Sequence, residues 1–180
     1  VVGSISQRPD LSEIKITLQE YGEEIFENAD SIVVEIDMDA DILKTIFQLA
    51  EKYHKKVFAI VSNMSIAMER RDLMKQTDCV VCNQEEAGLL FSEDYSNLSP
   101  SELAEIIDEK VEQAQFTRMV VTMGEQGAVY AEKHEDYGTI PAKKTIVQDT
   151  TGCGDAFFSG VCIGLTYGKS LKESCEIGTR

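Results

Sequence analysis

The sequence holds 180 residues, 43% of them hydrophobic, with a formal net charge of −15. That is enough chain and enough apolar content for one domain with a sizeable core, and it argues against disorder. The acidic excess disfavours a nucleic-acid or anionic-membrane surface, and no apolar run approaches the roughly eighteen residues of a membrane-spanning helix.

Taken in order, the pattern alternates between strand and helix. Val1 to Ser6 reads as a strand end and Gln7 to Asp10 as a turn. Ile14, Leu18, Tyr21, Ile25 and Phe26 fall on one face of a helix over Leu11 to Asn28, clearest from Thr17 onward. Ser31 to Ile36 is an apolar run bounded by aspartates, hence a buried strand. Asp39 to Tyr53 carries Ile42, Ile46, Leu49, Ala50 and Tyr53 at amphipathic-helix spacing. A strand over Val57 to Val61, a helix over Ser65 to Lys75, a strand over Asp78 to Cys82 and a short helix over Glu85 to Phe91 follow. Ser99-Pro100-Ser101-Glu102 opens a helix that runs to about Gln115, with Ser99 as N-cap, proline at the first position and Glu102 closing a capping box. Arg118 to Met123 is again a strand.

After Met123 the alternation stops. Gly124 and Gly127 bracket a turn, and short strands are expected at Ala128 to Ala131, Tyr137 to Pro141 and Thr145 to Gln148. This predicts a small antiparallel piece over 123–148. An apolar helix over Ala156 to Leu165 carries Gly160 and Gly164 four residues apart, a spacing that implies close packing against the sheet. Gly168 ends it, and Ser170 with Glu173 starts another. The fold class is therefore α/β: a three-layer, mostly parallel sheet of Rossmann-like type with helices on both faces.

The five cysteines show no disulfide framework, which points to a reducing, cytoplasmic setting. Cys79 and Cys82 form one C-x-x-C, but residues three apart on a strand face opposite sides. No second pair follows, so zinc is not expected. His54 and His134 sit among charged residues and read as solvated.

The stretch most loaded with chemistry is Asp149-Thr150-Thr151-Gly152-Cys153-Gly154-Asp155, between a strand-like segment and the apolar helix. Two glycines one residue apart allow a sharp turn and close approach of backbone to a ligand. The amides of residues 152 to 155 then lie at a helix N-terminus, where free N–H groups and the helix dipole attract anions. Asp155 beside such a cradle suits proton acceptance from a hydroxyl that attacks phosphate. The alternative is a tight connection with Asp155 as an ordinary first-turn residue.

The string Asp149 to Gly160, DTTGCGDAFFSG, resembles the C-terminal signature of the ribokinase-like carbohydrate kinases, the phosphofructokinase-B type family. The resemblance implies that Gly152, Cys153 and Gly154 supply an anion hole for the transferred phosphoryl group and that Asp155 is the catalytic base. It also implies a monovalent cation such as K⁺ held partly by Asp149 and Thr151. Asn83 and Glu86 match the family's Asn-x-x-Glu, which organises Mg²⁺ and phosphate through water, although the same pair also makes a plain capping box. Thr122, Gly124 and Gly127 match a Thr-x-Gly-x-x-Gly turn beside the nucleotide; a simple hairpin turn is the other reading. Ser62-Asn63-Met64-Ser65 stands where many relatives have Asp-Pro-x-Ser, so what that aspartate does elsewhere is not carried over. Asn83, Thr122 and Asp155 each follow a predicted strand, and ligands of open α/β sheets sit at the carboxyl ends of strands.

The function this implies is transfer of the γ-phosphoryl group of ATP to a hydroxyl of a sugar or nucleoside, with ATP and Mg²⁺ as cofactors. The other reading is a non-catalytic nucleotide- or sugar-binding sensor of the same fold. A dehydrogenase is disfavoured because no early Gly-x-Gly-x-x-Gly follows a strand. The partners implied are a small-molecule substrate, with no nucleic acid and no membrane, and the resemblance admits a homodimer. Residues 1–180 are read as one kinase core, a fragment lacking the N-terminal sugar-binding and lid region and the last C-terminal helices.

Overall fold

The computed structural model describes residues 10–146 and 149–180. The expected strand end at Val1 to Ser6 lies outside them. Among the described residues six strands form one sheet in sequence order: β1 (Ser31–Glu35), β2 (Lys56–Ile60), β3 (Cys79–Asn83), β4 (Arg118–Thr122), β5 (Ala128–Glu132) and β6 (Tyr137–Ile140). β1 to β4 pair in parallel, whereas β4 with β5 and β5 with β6 are antiparallel. The fold is thus a mostly parallel α/β sheet with an antiparallel segment at one end, as the sequence predicts.

Among the described residues eight α-helices accompany it: α1 (Ser12–Asn28), α2 (Ala40–Lys52), α3 (Met64–Met68), α4 (Arg71–Met74), α5 (Gln84–Phe91), α6 (Pro100–Ala114), α7 (Cys153–Thr166) and α8 (Leu171–Gly178). Parallel strands taken in sequence order by right-handed crossovers place every connecting helix on one face. The core agrees. Phe26 of α1, Leu43 of α2 and Ile107 of α6 pack with Val34, Val80 and Met119 of the sheet. On the other face Phe58, Val81 and Val120 meet Phe158 and Val161 of α7 and Cys175 of α8. Cys79 and Cys82 fall into these two separate clusters, because alternate strand residues face opposite ways.

Helix starts follow the side-chain chemistry. The Asp39 carboxylate accepts from the N–H of Asp41 at 2.9 Å and caps α2. Ser99 with Glu102 and Ser170 with Glu173 close reciprocal capping boxes at α6 and α8.

Four expectations are corrected. The helix over Ser65 to Lys75 is two short helices, α3 and α4; at the break, Arg70 has φ −122° and its guanidinium donates to the carbonyl of Ile36 at 3.1 Å. In the strand expected over Thr145 to Gln148, Thr145 and Ile146 belong to no strand, and Val147 and Gln148 lie outside the described residues. On α1, Ile14, Tyr21 and Ile25 are 39%, 55% and 44% exposed, while Gly22 and Phe26 are buried. That helix packs along a narrow line on α2, so close that a Cβ on Gly22 would lie 2.8 Å from Leu49 Cδ1. Finally, Gly160 and Gly164 face α8 rather than the sheet: added Cβ atoms would lie 2.5 Å from Gly178 Cα and 2.5 Å from Ser174 Oγ.

Candidate active site

The site is built at the carboxyl ends of β3 and β4. Asn83 and Thr122 close those two strands and are register partners. Thr122 Oγ1 donates to the carbonyl of Cys82 at 3.5 Å, which ties the two strand ends together. β4 then enters a 3₁₀ turn, Gly124–Gln126, flanked by Gly124 at φ 57° and Gly127 at φ 101°. Both values lie where glycine is the natural residue. Gly127 is also held close to the chain leaving β6, since a Cβ there would sit 2.0 Å from the carbonyl oxygen of Ile140 and 2.7 Å from the amide nitrogen of Ala142.

The N-terminus of α7 approaches the same place. Gly152, its N-cap, has φ 78° and provides no side-chain cap. The N–H of Cys153 donates to the carbonyl of Thr150 at 3.2 Å, and that of Ala156 to the carbonyl of Gly152 at 2.9 Å. Among the described residues the N–H groups of Gly154 and Asp155 have no backbone acceptor. These are orphan donors of a helix start, aimed where the dipole is positive. Added Cβ atoms on Gly152 and Gly154 would meet nothing within 4 Å, so the approach is open.

One cavity of about 540 Å³ unites these parts: Thr122, Gly124, Gly127, Cys153 and Gly154 all line it. Asp155 does not line it; it is exposed in the first turn of α7, one residue beyond Gly154. Asn83 and Glu86 lie one strand over, and Asp149, Thr151 and Gly152 precede the cavity wall. A separate cavity of about 400 Å³, between β1 and α7, is bordered by Val33, Cys162, Ile163 and Tyr167 and by none of the sequence-predicted site residues.

Asn83 and Glu86 form the capping box at α5: Glu86 N–H donates to Asn83 Oδ1 and Asn83 N–H to Glu86 Oε2, both at 2.8 Å. Glu86 is half-buried, and desolvation raises its carboxyl above the ordinary value of 4.5, opposed by the Asn83 N–H and reinforced by the nearby charges of Glu85 and Asp37. Asp37 is a residue the sequence reading used only as the boundary of a strand. It follows β1, so the carboxyl ends of β1, β3 and β4, three of the four parallel strands, bring Asp37, Asn83, Glu86 and Thr122 to one rim. Asp149 accepts the N–H of Thr151 at 2.8 Å, and this bond holds its carboxyl below the usual aspartate range.

Lys143 and Lys144 line the cavity as well. Nothing in the sequence pattern marked them, because they occupy the irregular exit from β6.

An open α/β sheet with an anion-attracting helix start at its strand ends is the arrangement of a phosphate-binding α/β protein. The chain belongs to the pfkB family of carbohydrate kinases, whose model matches residues 4–180. The guanosine-inosine kinase of Exiguobacterium acetylicum is 30% identical over 179 residues, covering 98% of this chain and 58% of that protein. Among solved structures, a probable sugar kinase from Rhizobium etli CFN 42 superposes with a TM-score of 0.74 at 25% identity, over 89% of this chain and 49% of that one. Ribokinase of Arabidopsis thaliana, complexed with ribose and ATP, gives a TM-score of 0.76 at 20% identity, over 89% of this chain and 50% of that one. The chain thus spans about half the length of the relatives it matches. Among the described residues no helix is long and apolar enough to cross a membrane.

Proposed function

We propose that this chain carries the catalytic part of an ATP-dependent phosphotransferase acting on a hydroxyl of a sugar or nucleoside. The observation that carries the reading is the single cavity shared by Thr122, Gly124, Gly127 and the α7 start at Gly154, with exposed Asp155 beside it. Asp155 takes the proton of the acceptor hydroxyl as its oxygen attacks the γ-phosphorus and the bond to the ADP oxygen breaks. The N–H groups of Gly154 and Asp155, with those of Gly152 and Cys153, stabilise charge on the phosphoryl oxygens. For Cys153 this means exchanging its 3.2 Å bond to Thr150 for the phosphoryl group. Thr122, Gly124 and Gly127 border the nucleotide.

Asn83 and Glu86 suit a hydrated Mg²⁺. Glu86 is half-buried near Asp37, and a pair of partly desolvated carboxylates favours a cation. Such an ion neutralises phosphate charge when bound. Asp149 and Thr151 are the residues that would serve a monovalent cation.

The guanosine-inosine kinase relative puts purine nucleosides first among acceptors to test. The experiment is an ADP-release assay on the full-length protein with ATP, Mg²⁺ and a panel of nucleosides and sugars. Acceptor-dependent ADP release is expected. Nucleotide binding with no turnover on any acceptor would instead support a non-catalytic sensor.

A further inference from the structure

We propose that Lys143 and Lys144 bind the phosphate chain of the nucleotide donor, an inference that rests on the phosphotransferase reading. Both lysines are exposed and line the 540 Å³ cavity together with Cys153 and Gly154. Among the described residues neither makes a hydrogen bond or ion pair. Several cations elsewhere are ion-paired, Lys52 with Glu23, Lys110 with Glu93 and Arg118 with Glu132, while the exposed Lys75, Lys169 and Lys172 have no ion pair among the described residues either; what sets Lys143 and Lys144 apart is that they line the cavity.

The chain has 32 acidic and 17 basic residues, yet the cavity lining holds Lys143, Lys144 and Arg180 and not one carboxylate. A protein this acidic repels a polyphosphate at long range, but screening confines charge effects to about 8 Å at physiological salt, so the local sign decides binding. The acceptor, a neutral sugar or nucleoside, gains nothing from two unpaired ammonium groups. A phosphate chain gains ion-paired hydrogen bonds from the lysines and amide donors from the α7 start in the same cavity.

The backbone fixes where these lysines stand. Gly127 packs against Ile140 and Ala142 with no room for a Cβ, so the chain carrying Lys143 is pinned across the glycine turn. The lysines are therefore held at the cavity by a backbone contact one residue away.

The test uses the full-length protein and the double substitution Lys143→Gln/Lys144→Gln. The KM for ATP should rise about tenfold, the factor that corresponds to roughly one charge-assisted contact. The KM for the acceptor should stay within about twofold, below the size of a single such contact. Lys143→Arg/Lys144→Arg should restore the ATP KM, and a matching thermal melt shows that the Gln variant is folded. An unchanged ATP KM overturns the proposal, as does an equal rise in the acceptor KM, which would place the lysines on the acceptor. A parent that transfers no phosphoryl group undermines the function above without deciding this point. Calorimetric titration with ATP then reads the lysine effect directly, and equal affinity of parent and Gln variant overturns it.

Discussion

Asn83 and Glu86 grip one another through two reciprocal 2.8 Å hydrogen bonds, while the same glutamate feels the charge of Asp37 across the strand ends. One carboxylate thus starts helix α5 and stands, partly desolvated, at the rim of the site. A residue placed only for capping would do better as glutamine, which caps equally and carries no charge.

That comparison gives a stability prediction. Burial raises the Glu86 carboxyl in the folded state, so its contribution is full below its unfolded value near 4.5 and is lost as pH rises through the folded value. Glu86→Gln should therefore raise the melting temperature at pH 7 and leave it unchanged near pH 4. Phosphoryl transfer should fall in the same variant, most steeply at limiting Mg²⁺. Thermal melts at the two pH values and a Mg²⁺ titration of activity check both halves.

The α7–α8 contact is the tightest helix pairing at the second face. A methyl on Gly164 would lie 2.5 Å from Ser174 Oγ and 2.7 Å from its Cα. Gly164→Ala should cost roughly 1–3 kcal/mol, although alanine is the better helix former, because overpacking outweighs propensity. Denaturant unfolding measures it; a gain in stability would show that the two helices can part without cost.

Gly154 is the counterpart. It lies in α7 too, but a Cβ there meets nothing within 4 Å and projects at the cavity. Gly154→Val should leave the melting temperature within a few degrees of the parent, since surface substitutions cost about 0.5 kcal/mol or less. It should nevertheless abolish most phosphoryl transfer by filling the approach to the α7 amides. Loss of activity with an intact melt separates blockage of the site from unfolding.

The alternation of strands and helices, the mostly parallel layering and the capping were legible because each rests on local pattern: the apolar run over Asp78 to Cys82, the Ser99–Glu102 box, the amphipathic spacing after Asp39. The misreadings share a different cause. The direction in which Gly160 and Gly164 pack depends on which element arrives opposite them, and the sequence of α7 does not carry that information. The exposed face of α1 is decided by its narrow contact with α2 through Gly22 and Phe26, residues that a count of large apolar side chains underweights. At the site, motifs such as Thr122 to Gly127 announced themselves through glycine spacing. Asp37, Lys143 and Lys144 did not, because only the folded sheet brings a strand boundary and an irregular exit to the same rim.

The central claim is that Asp155 receives the proton of the attacking hydroxyl. The measurement that tests it most directly is steady-state turnover of full-length Asp155→Asn beside its nucleotide affinity. A positioned base contributes roughly 10²–10⁴-fold, so kcat should fall by that order while ATP binding is retained. Turnover within about twofold of the parent, far below the contribution of any such base, would contradict the account.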